Sequence, residues 1–260
     1  MLTDQRQDDV HRLWDELADF EVGRADVALQ HLMQRLCDMV GAWNATWGGA
    51  IRLGDGSEGE DPLRGWRVAV TRLLHPIEAL PEEGPFKDLQ LRWNRREIDP
   101  SFLLPMRAVG EFRTYALRRD LPEAWFASPF YDAYYGRFGT LDAAWVGFPI
   151  NSDAESHFGF YSRAVLAEED VALLAYALRG LKWFHRQVML TSGPLIAKAP
   201  LTPTERKVLR LLLTKASEKN IADQLGLAVS TTHQRIVALF RKFGVRSRAE
   251  LMSLWLSHPL

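Results

Sequence analysis

The sequence has only one cysteine and lacks a long apolar run, and these two features narrow the class of protein to which it can belong. Cys37 alone excludes an internal disulfide framework in a chain of 260 residues, as is usual in a reducing compartment. Residues 1–20 are charged throughout and lack the apolar core of a secretory signal. No stretch approaches the roughly 20 apolar residues of a membrane span. We therefore expect a cytoplasmic protein with no membrane partner.

The sequence also lacks the common signatures of catalysis and metal binding. It has no phosphate-binding glycine loop, no His-Glu-x-x-His pair and no cysteines at metal-ligand spacing. His75, His157 and His185 are scattered, and Ser152 and Asp153 precede His157 without a nucleophile elbow. We therefore predict no catalytic residue, no metal and no cofactor, and a protein that is not an enzyme.

Charge separates the two ends of the chain, although the net charge is only −1. Residues 201–260 hold ten Lys or Arg against four Asp or Glu, which gives this tail a charge of +6. The other residues hold 22 basic and 29 acidic side chains, so the body carries −7. An acidic body with a basic tail favours a polyanionic partner for the tail alone.

A proline-rich segment lies where the charge changes sign. The stretch from Thr191 to Pro203 contains three prolines and a glycine and has no amphipathic period, which is typical of a linker. The sequence therefore predicts a body over residues 1–190, a linker over 191–200 and a C-terminal domain over 201–260.

Four helices are predicted in the tail from capping residues and apolar spacing. Thr202, Pro203 and Glu205 form a capping-box pattern at the start of the first. The others span Ser217 to Gly226, Ser230 to Gly244, and Arg248 to Leu256. A short helix, a glycine turn and a second helix with a polar, cationic outer face form a helix-turn-helix. Such a second helix fits the major groove of double-stranded DNA.

The separated motifs of the tail resemble the DNA-binding domain of LuxR-type transcription regulators. The matching positions are Leu201, Thr202, Glu205, Val208, Leu209, Ser217, Lys219, Ile221, Ala222, Leu225, Gly226, Thr231, Lys242, Phe243, Gly244, Val245 and Arg248. Several motifs agree in register, which makes the pattern specific. The resemblance implies a homodimeric regulator of transcription that binds double-stranded DNA, with RNA polymerase as a further partner.

The resemblance also implies which side chains contact DNA. The base-facing positions of the family fall on His233, Gln234 and Val237. Arg235 stands where the family usually has histidine and adds a donor to phosphate or guanine. Backbone contacts fall on Lys219, Thr231, Arg241 and Lys242. Ser230 takes over the capping of the second helix and is also a predicted DNA-binding residue, because a helix N-terminus offers free N–H groups to phosphate oxygens. The last helix pairs two domains in the family, and the positions here are Leu251, Leu254 and Trp255.

The body has a different pattern, with helices first, then strands, then a long helix. Five β-like stretches cover residues 43–53, 65–74, 111–118, 142–150 and 157–166. A long helix is predicted over residues 167–190, with acids in its first turn. The predicted fold class is α+β: an N-terminal α/β/α sandwich with an antiparallel sheet, and a C-terminal all-α four-helix domain. The order of elements resembles GAF/PAS-like sensory domains.

Aromatic side chains are dense in the body and suggest a ligand pocket. The candidates are Trp43, Trp47, Trp66, Trp125, Tyr134, Tyr135 and Trp145. The alternative is that these rings simply fill the core. Residues 128–139 fit a pocket wall, a lid or a dimer contact. The acyl-homoserine-lactone domain is another relative, but its tryptophan, tyrosine and aspartate set has no clear register here, so no lactone is assigned.

The combined hypothesis is a regulator whose body senses a small-molecule effector or a partner and controls dimeric binding of the tail to DNA. One alternative is a sigma-like or adaptor protein whose body binds a protein partner and no ligand. Another is an enzyme with an accessory DNA-binding tail.

Overall fold

The computed structural model describes residues 2–52, 61–76, 85–192 and 201–256. The chain forms two compact units, Met1–Asp15 with Gln30–Lys182 and Glu16–Leu29 with Trp183–Leu260. Most of the predicted linker lies outside the described residues, so the predicted domain boundaries stay a prediction.

The N-terminal part is an α+β arrangement. In chain order its elements are α1 (Asp4–Ala18), α2 (Ala25–Val40), β1 (Ala42–Arg52), β2 (Trp66–Leu73), α3 (Pro85–Arg95), α4 (Pro100–Leu103), β3 (Arg113–Ala116), α5 (Leu117–Asp120), α6 (Pro129–Tyr134), β4 (Asp142–Asn151), β5 (Ala154–Ser162), α7 (Glu168–Arg179) and α8 (Lys182–Ser192). Short 3-10 helices cover Val22–Arg24, Pro105–Ala108, Glu123–Ala127 and Gly136–Phe138. All five predicted strands and both N-terminal helices are confirmed.

The strands form one sheet in the order β2–β1–β5–β4–β3, and every neighbouring pair is antiparallel. Side chains alternate between its two faces, since successive residues of a strand point to opposite sides. Phe158 pairs with Trp47 and Val146 on one face, and all three are fully buried. Burial of each such side chain stabilises the fold by about 1.5–3 kcal/mol. The opposite face carries His157 and the candidate site.

The long helix predicted over residues 167–190 is in fact two helices, α7 and α8, separated at Gly180. A Cβ atom on Gly180 would lie 2.4 Å from the indole ring of Trp14. The same indole donates a hydrogen bond to the carbonyl of Ala177 at 2.9 Å, near the end of α7. A tertiary contact with α1 therefore lies at the break, and helical periodicity does not encode such a contact.

The C-terminal part contains the four predicted helices, α9 (Pro203–Leu212), α10 (Glu218–Leu225), α11 (Val229–Phe243) and α12 (Arg248–Leu256). Their buried core includes Val208, Ile221, Ile236, Leu239 and Phe243. The apolar spacing of α11 therefore identified its buried face correctly.

The caps of these helices are mostly those that the sequence predicts. Thr202 and Glu205 form the capping box of α9, and the Ser217 side chain caps α10. Gly226 ends α10 and Gly244 ends α11, both with positive φ, at 63° and 68°, a conformation that glycine adopts without strain.

The start of α11 differs from the prediction. Its N-cap is Ala228, which has no side chain able to cap, so Ser230 lies inside the first turn instead of capping it. The helix therefore begins earlier than the serine, and hydrogen bonds from a capping side chain do not fix its start.

Candidate functional site

A cavity of about 190 Å³ lies within the N-terminal unit, on the face of the sheet that carries His157. All five strands contribute to its wall, together with residues of α3, α4 and the turns that follow. The lining residues are Thr46, Trp47, Gly48, Gly49, Ala50, Trp66, Val68, Thr71, Leu73, Leu89, Trp93, Ser101, Phe102, Pro105, Met106, Val109, Arg113, Tyr115, Tyr135, Trp145, Glu155, His157 and Tyr161. A concave, largely apolar wall with a few polar groups is typical of small-molecule sites.

Four of the seven aromatic residues predicted for a ligand site lie in this wall: Trp47, Trp66, Tyr135 and Trp145. Trp47 differs from the others because strand alternation puts its side chain on the opposite face. Its indole N–H donates there to Ser156 Oγ at 2.9 Å. Trp66, Tyr135 and Trp145 are therefore the predicted residues that the structure brings together at the cavity.

The other three predicted aromatics are not among the lining residues, and each has a polar partner of its own. Trp43 Nε1 donates to Thr140 Oγ1 at 3.1 Å, and Trp125 Nε1 donates to Asp99 Oδ1 at 3.0 Å.

Tyr134 donates its hydroxyl proton to Asp88 and also contacts Arg92. This hydrogen bond from Tyr134 is the main reason that the pKa of Asp88 is lowered. All three rings pack in an aromatic cluster that also includes the cavity residues Tyr135 and Trp145. Their role in ligand binding stays a prediction.

Sequence reasoning missed several residues of the wall. Tyr115 stacks on Trp145 with ring centroids 5.4 Å apart and an interplanar angle of 9°. Tyr161 meets Trp145 edge-on at 5.9 Å. A signal for part of this set was present in β5, where Glu155, His157 and Tyr161 occupy alternate positions of one face.

The Trp145 indole packs so closely against β5 that the residue beneath it, Gly159, has no room for a side chain. A Cβ atom on Gly159 would lie 2.3 Å from Trp145 Nε1 and 2.9 Å from Thr46 Oγ1. Real Cβ atoms do not approach so closely, so Gly159 leaves the space that the indole ring of Trp145 fills. The position of this aromatic wall thus depends on the absence of a side chain on β5.

A buried polar network forms one side of the cavity. Arg113 Nη1 and Nη2 donate to the two oxygens of Glu155 at 2.9 and 2.7 Å. His157 Nε2 lies 3.1 Å from Glu155 Oε2, and Tyr115 Oη lies 3.3 Å from His157 Nδ1. Because an ionised carboxylate only accepts, Nε2 donates the proton of its contact with Glu155. The Arg113 guanidinium and the Glu155 carboxylate carry opposite charges, which cancel within the pair.

The network sets the protonation of its carboxylate. Burial alone would raise the pKa of Glu155, but hydrogen bonds from His157 and Arg113 lower it to about 2. Burial raises the pKa of Tyr161 to about 12 and also raises that of Tyr115. Near neutral pH, Glu155 is therefore ionised and both phenols are protonated.

Within the described residues, three buried polar atoms of the cavity wall have no hydrogen-bond partner: Trp66 Nε1, Ser101 Oγ and Arg113 Nε. Trp66 is 2% exposed and Ser101 is 9% exposed. A buried donor without a partner costs about 1–3 kcal/mol. An oxygen atom of a bound molecule would satisfy such a donor.

The C-terminal unit presents a second candidate surface, the outer face of α11. His233, Gln234 and Val237 are exposed on it, with 40% exposure for the apolar Val237. Arg241 and Lys219 are exposed as well. The structure therefore leaves the three predicted base-facing side chains accessible, while their contact with DNA stays a prediction.

Other predicted DNA contacts are less accessible. Thr231 is half-buried, and the half-buried Arg235 has a buried Nε without a partner among the described residues. Lys242 Nζ lies 2.7 Å from Glu205 Oε2, inside the capping box of α9. Lys242 therefore links two helices of its own domain, and its predicted contact with the DNA backbone stays a prediction.

Arg248 also has a structural role. Its guanidinium donates to the carbonyls of Leu212 at 2.8 Å and Ala216 at 2.7 Å, and also to that of Thr214. These carbonyls belong to the end of α9 and the turn after it, where a helix has unsatisfied acceptors. The arginine of the family motif thus holds the end of α9 against α12.

Of the predicted dimer contacts, Leu251 is only 2% exposed and packs in the core of its own domain. It is therefore not presented to a second chain in this state. The side chains of Leu254 and Trp255 lie outside what the structure describes, so their role stays a prediction.

Cys37 is buried, and burial raises the pKa of its thiol to about 12. Such a thiol stays protonated and is a poor nucleophile. Among the described residues there is no group of three or more His, Cys, Asp or Glu that could hold a metal ion. Every helix in the described part of the chain is too short or too polar to cross a lipid bilayer.

A family model described as "Bacterial regulatory proteins, luxR family" matches residues 199–255. These residues are therefore a luxR-family helix-turn-helix domain, as the motifs predict. The probable HTH-type transcriptional regulator GfsR of Streptomyces halstedii is 35% identical over 68 residues. The match covers 26% of this chain and 27% of GfsR, so the chain spans little more than a quarter of that relative.

Solved structures resemble a larger part of the chain at low identity. The ligand-binding domain of VqsR from Pseudomonas aeruginosa is 14% identical, covers 69% of this chain and 96% of its own, and has a TM-score of 0.48. SdiA in complex with octanoyl-rac-glycerol is 12% identical to this chain, and the match covers 98% of this chain and 95% of the SdiA chain, with a TM-score of 0.49. SdiA of Escherichia coli is 13% identical over 94% of both chains, with a TM-score of 0.47.

Proposed function

We propose that this protein is a transcription regulator that binds duplex DNA through α11 and senses a small molecule in the cavity of its N-terminal unit. The observation that carries the first half is the luxR-family match over residues 199–255, together with the exposed outer face of α11. An α-helix fits the major groove, and side chains in its N-terminal half reach base edges.

The chemistry of this face suits base recognition. His233 and Gln234 offer hydrogen bonds to base edges, and Val237 offers an apolar contact to a thymine methyl. Arg241 and Lys219 supply positive charge for phosphates. A single domain of this size contacts few base pairs, so we propose that two copies bind a two-part site.

The test is selection of binding sites from random duplexes with the full chain. We expect the wild type to enrich a short, two-part motif. The double variant His233→Ala with Gln234→Ala should still bind but with relaxed base preference, because phosphate contacts remain. Gln224→Ala, an exposed change on α10, serves as the control and should retain the motif.

Two outcomes would contradict the proposal. The double variant would refute the assignment of α11 if it selected the wild-type motif. The absence of any enriched motif with the chain alone would also contradict the proposal, because that is the result expected of an adaptor protein that needs polymerase to bind DNA.

The second half of the proposal concerns the ligand. The Arg113–Glu155 pair cancels its own charge, and the remaining wall is mainly aromatic and aliphatic. A charged ligand would lose its hydration without gaining a free countercharge. The indole N–H of Trp66 has no hydrogen-bond partner among the described residues, and a ligand oxygen that reaches it would supply one. We therefore propose an uncharged, largely apolar ligand that carries at least one acceptor oxygen. The protein acts as a binder of this ligand and catalyses no reaction on it.

Two probes with the same acyl chain test this ligand class. Octanoyl glycerol is uncharged and bears ester and hydroxyl oxygens, whereas octanoate carries a charge. We expect octanoyl glycerol to raise the melting temperature and octanoate to have less effect. Trp66→Phe, which removes the indole N–H, should reduce the shift, while Trp183→Phe, at an exposed position, should not. A larger shift with octanoate would contradict the proposed chemistry.

A further inference from the structure

Two exposed side chains of the helix-turn-helix domain are joined by a hydrogen bond. His233 Nδ1 on α11 lies 3.0 Å from an oxygen of Glu218, the first residue of α10. The His233 side chain is 61% exposed and that of Glu218 is 45% exposed. The pair lies on the surface, so core packing does not require it.

Glu218 is not needed to start its own helix. The Ser217 hydroxyl caps α10 by accepting from the backbone N–H of Asn220, and it also contacts the Asn220 side chain at 2.8 Å. The carboxylate of Glu218 is therefore available for α11.

The contact determines what His233 presents to a ligand. A carboxylate oxygen can only accept, so the proton of the shared hydrogen bond is on Nδ1. In the neutral imidazole, Nε2 then keeps its lone pair and is an acceptor. Without Glu218, the ring is free to rotate and to carry its proton on either nitrogen.

We infer that Glu218 is a positioning residue for base recognition, which holds His233 with Nε2 as an acceptor toward an exocyclic amine in the major groove. The amines available there are N6 of adenine and N4 of cytosine, whereas guanine and thymine present acceptors. This inference rests on the proposed function, in which the outer face of α11 lies in the groove. It adds that His233 selects bases with an exocyclic amine and that Glu218 sets this preference.

A simpler effect of Glu218 must be separated from this one. A carboxylate beside DNA repels phosphates, so its removal alone should tighten binding to every sequence about equally. An effect through His233 instead changes the preference at one base position. Asp223, an exposed acid on the same helix, provides a control that removes the same charge.

The experiment uses the full chain at pH 8, where an ordinary histidine is neutral. Sites are selected from random duplexes with the wild type, Glu218→Ala and Asp223→Ala. We expect the wild type to prefer adenine or cytosine at one position of each half-site. Glu218→Ala should reduce that preference by about fivefold, which corresponds to one net hydrogen bond, and leave the other positions unchanged. Asp223→Ala should keep the wild-type preference.

Nitrogen NMR of histidine-labelled protein gives an independent reading, with the His233 signals identified by their loss in His233→Asn. We expect the Nδ1–H form in the wild type and in Asp223→Ala, and loss of its dominance in Glu218→Ala. An Nε2–H form in the wild type, or an unchanged base preference in Glu218→Ala, would overturn the inference. If the wild type binds no duplex at all, the proposed function itself fails.

Discussion

The cavity wall and the outer face of α11 are built in opposite ways. In the wall, Arg113 and Glu155 are almost fully buried, with side-chain exposures of 8% and 1%, and each constrains the other. On α11, His233 is 61% exposed and contacts the exposed Glu218 at 3.0 Å. A buried network fixes a shape and tolerates little change, whereas an exposed face tolerates substitution and changes what it recognises. Changes in the wall should therefore alter stability, and changes on α11 should alter specificity.

The largest expected effect comes from breaking the buried ion pair. Glu155→Ala leaves the Arg113 guanidinium buried without its countercharge, and it also removes the acceptor of the Gly110 N–H. We expect the free energy of unfolding to fall by about 3–5 kcal/mol. Denaturant unfolding of the full chain measures it. Glu111→Ala, an exposed change two residues before Arg113, should cost less than about 0.5 kcal/mol.

Acid titration tests how much the ionised form of Glu155 stabilises the fold, without a substitution that breaks the ion pair at neutral pH. The folded-state pKa of Glu155 is about 2, below its ordinary value of 4.5. A lowered pKa stabilises the fold above the ordinary value, and this stabilisation is lost as the pH falls toward 2. For Glu155 the loss amounts to about 3 kcal/mol.

The measurement is the free energy of unfolding against pH for the wild type and Glu155→Gln. The difference between the two should shrink between pH 4.5 and pH 2, because only the wild type has this carboxylate to protonate. A constant difference over that range would show that Glu155 is not held ionised by its partners.

A smaller effect is expected from a single methyl group in the wall. Gly159→Ala pushes the Trp145 indole out of its place, because the added Cβ would lie 2.3 Å from Nε1. We expect a loss of about 1–3 kcal/mol and weaker binding of the uncharged probe. Gly48→Ala is the matched control for the loss of stability, since its Cβ would meet nothing closer than 3.8 Å. Equal losses in both variants would contradict the close packing of Trp145.

The two regions also differ in how much of them the sequence could predict. The helix-turn-helix follows from local signals, since the Thr202–Glu205 capping box, the glycines that end α10 and α11, and the spacing of Ile236 and Phe243 act over a few residues. The five strands were equally visible from alternation. Because these signals are short-range, they predicted α10, α11 and α12 almost at their true bounds. The strand predicted over residues 157–166 instead spans Ala154–Ser162.

The cavity could not be assembled in the same way. Its wall combines β1, β2, β3, β4 and β5 with α3 and α4, and Trp145 reaches it only because Gly159 on a neighbouring strand has no side chain. The abundance of aromatics indicated a site, but it did not distinguish Trp145, in the wall, from Trp125, which bonds to Asp99 elsewhere. Long-range pairing decides that difference.

The most direct test of the central claim is the salt dependence of DNA binding by the full chain. If α11 lies in the groove with basic side chains over phosphates, the logarithm of the association constant should fall linearly with the logarithm of salt concentration. Arg241→Ala, which removes an exposed cation of α11, should make that slope shallower by about 1. Binding that is absent, or that does not respond to salt in either protein, would contradict the account.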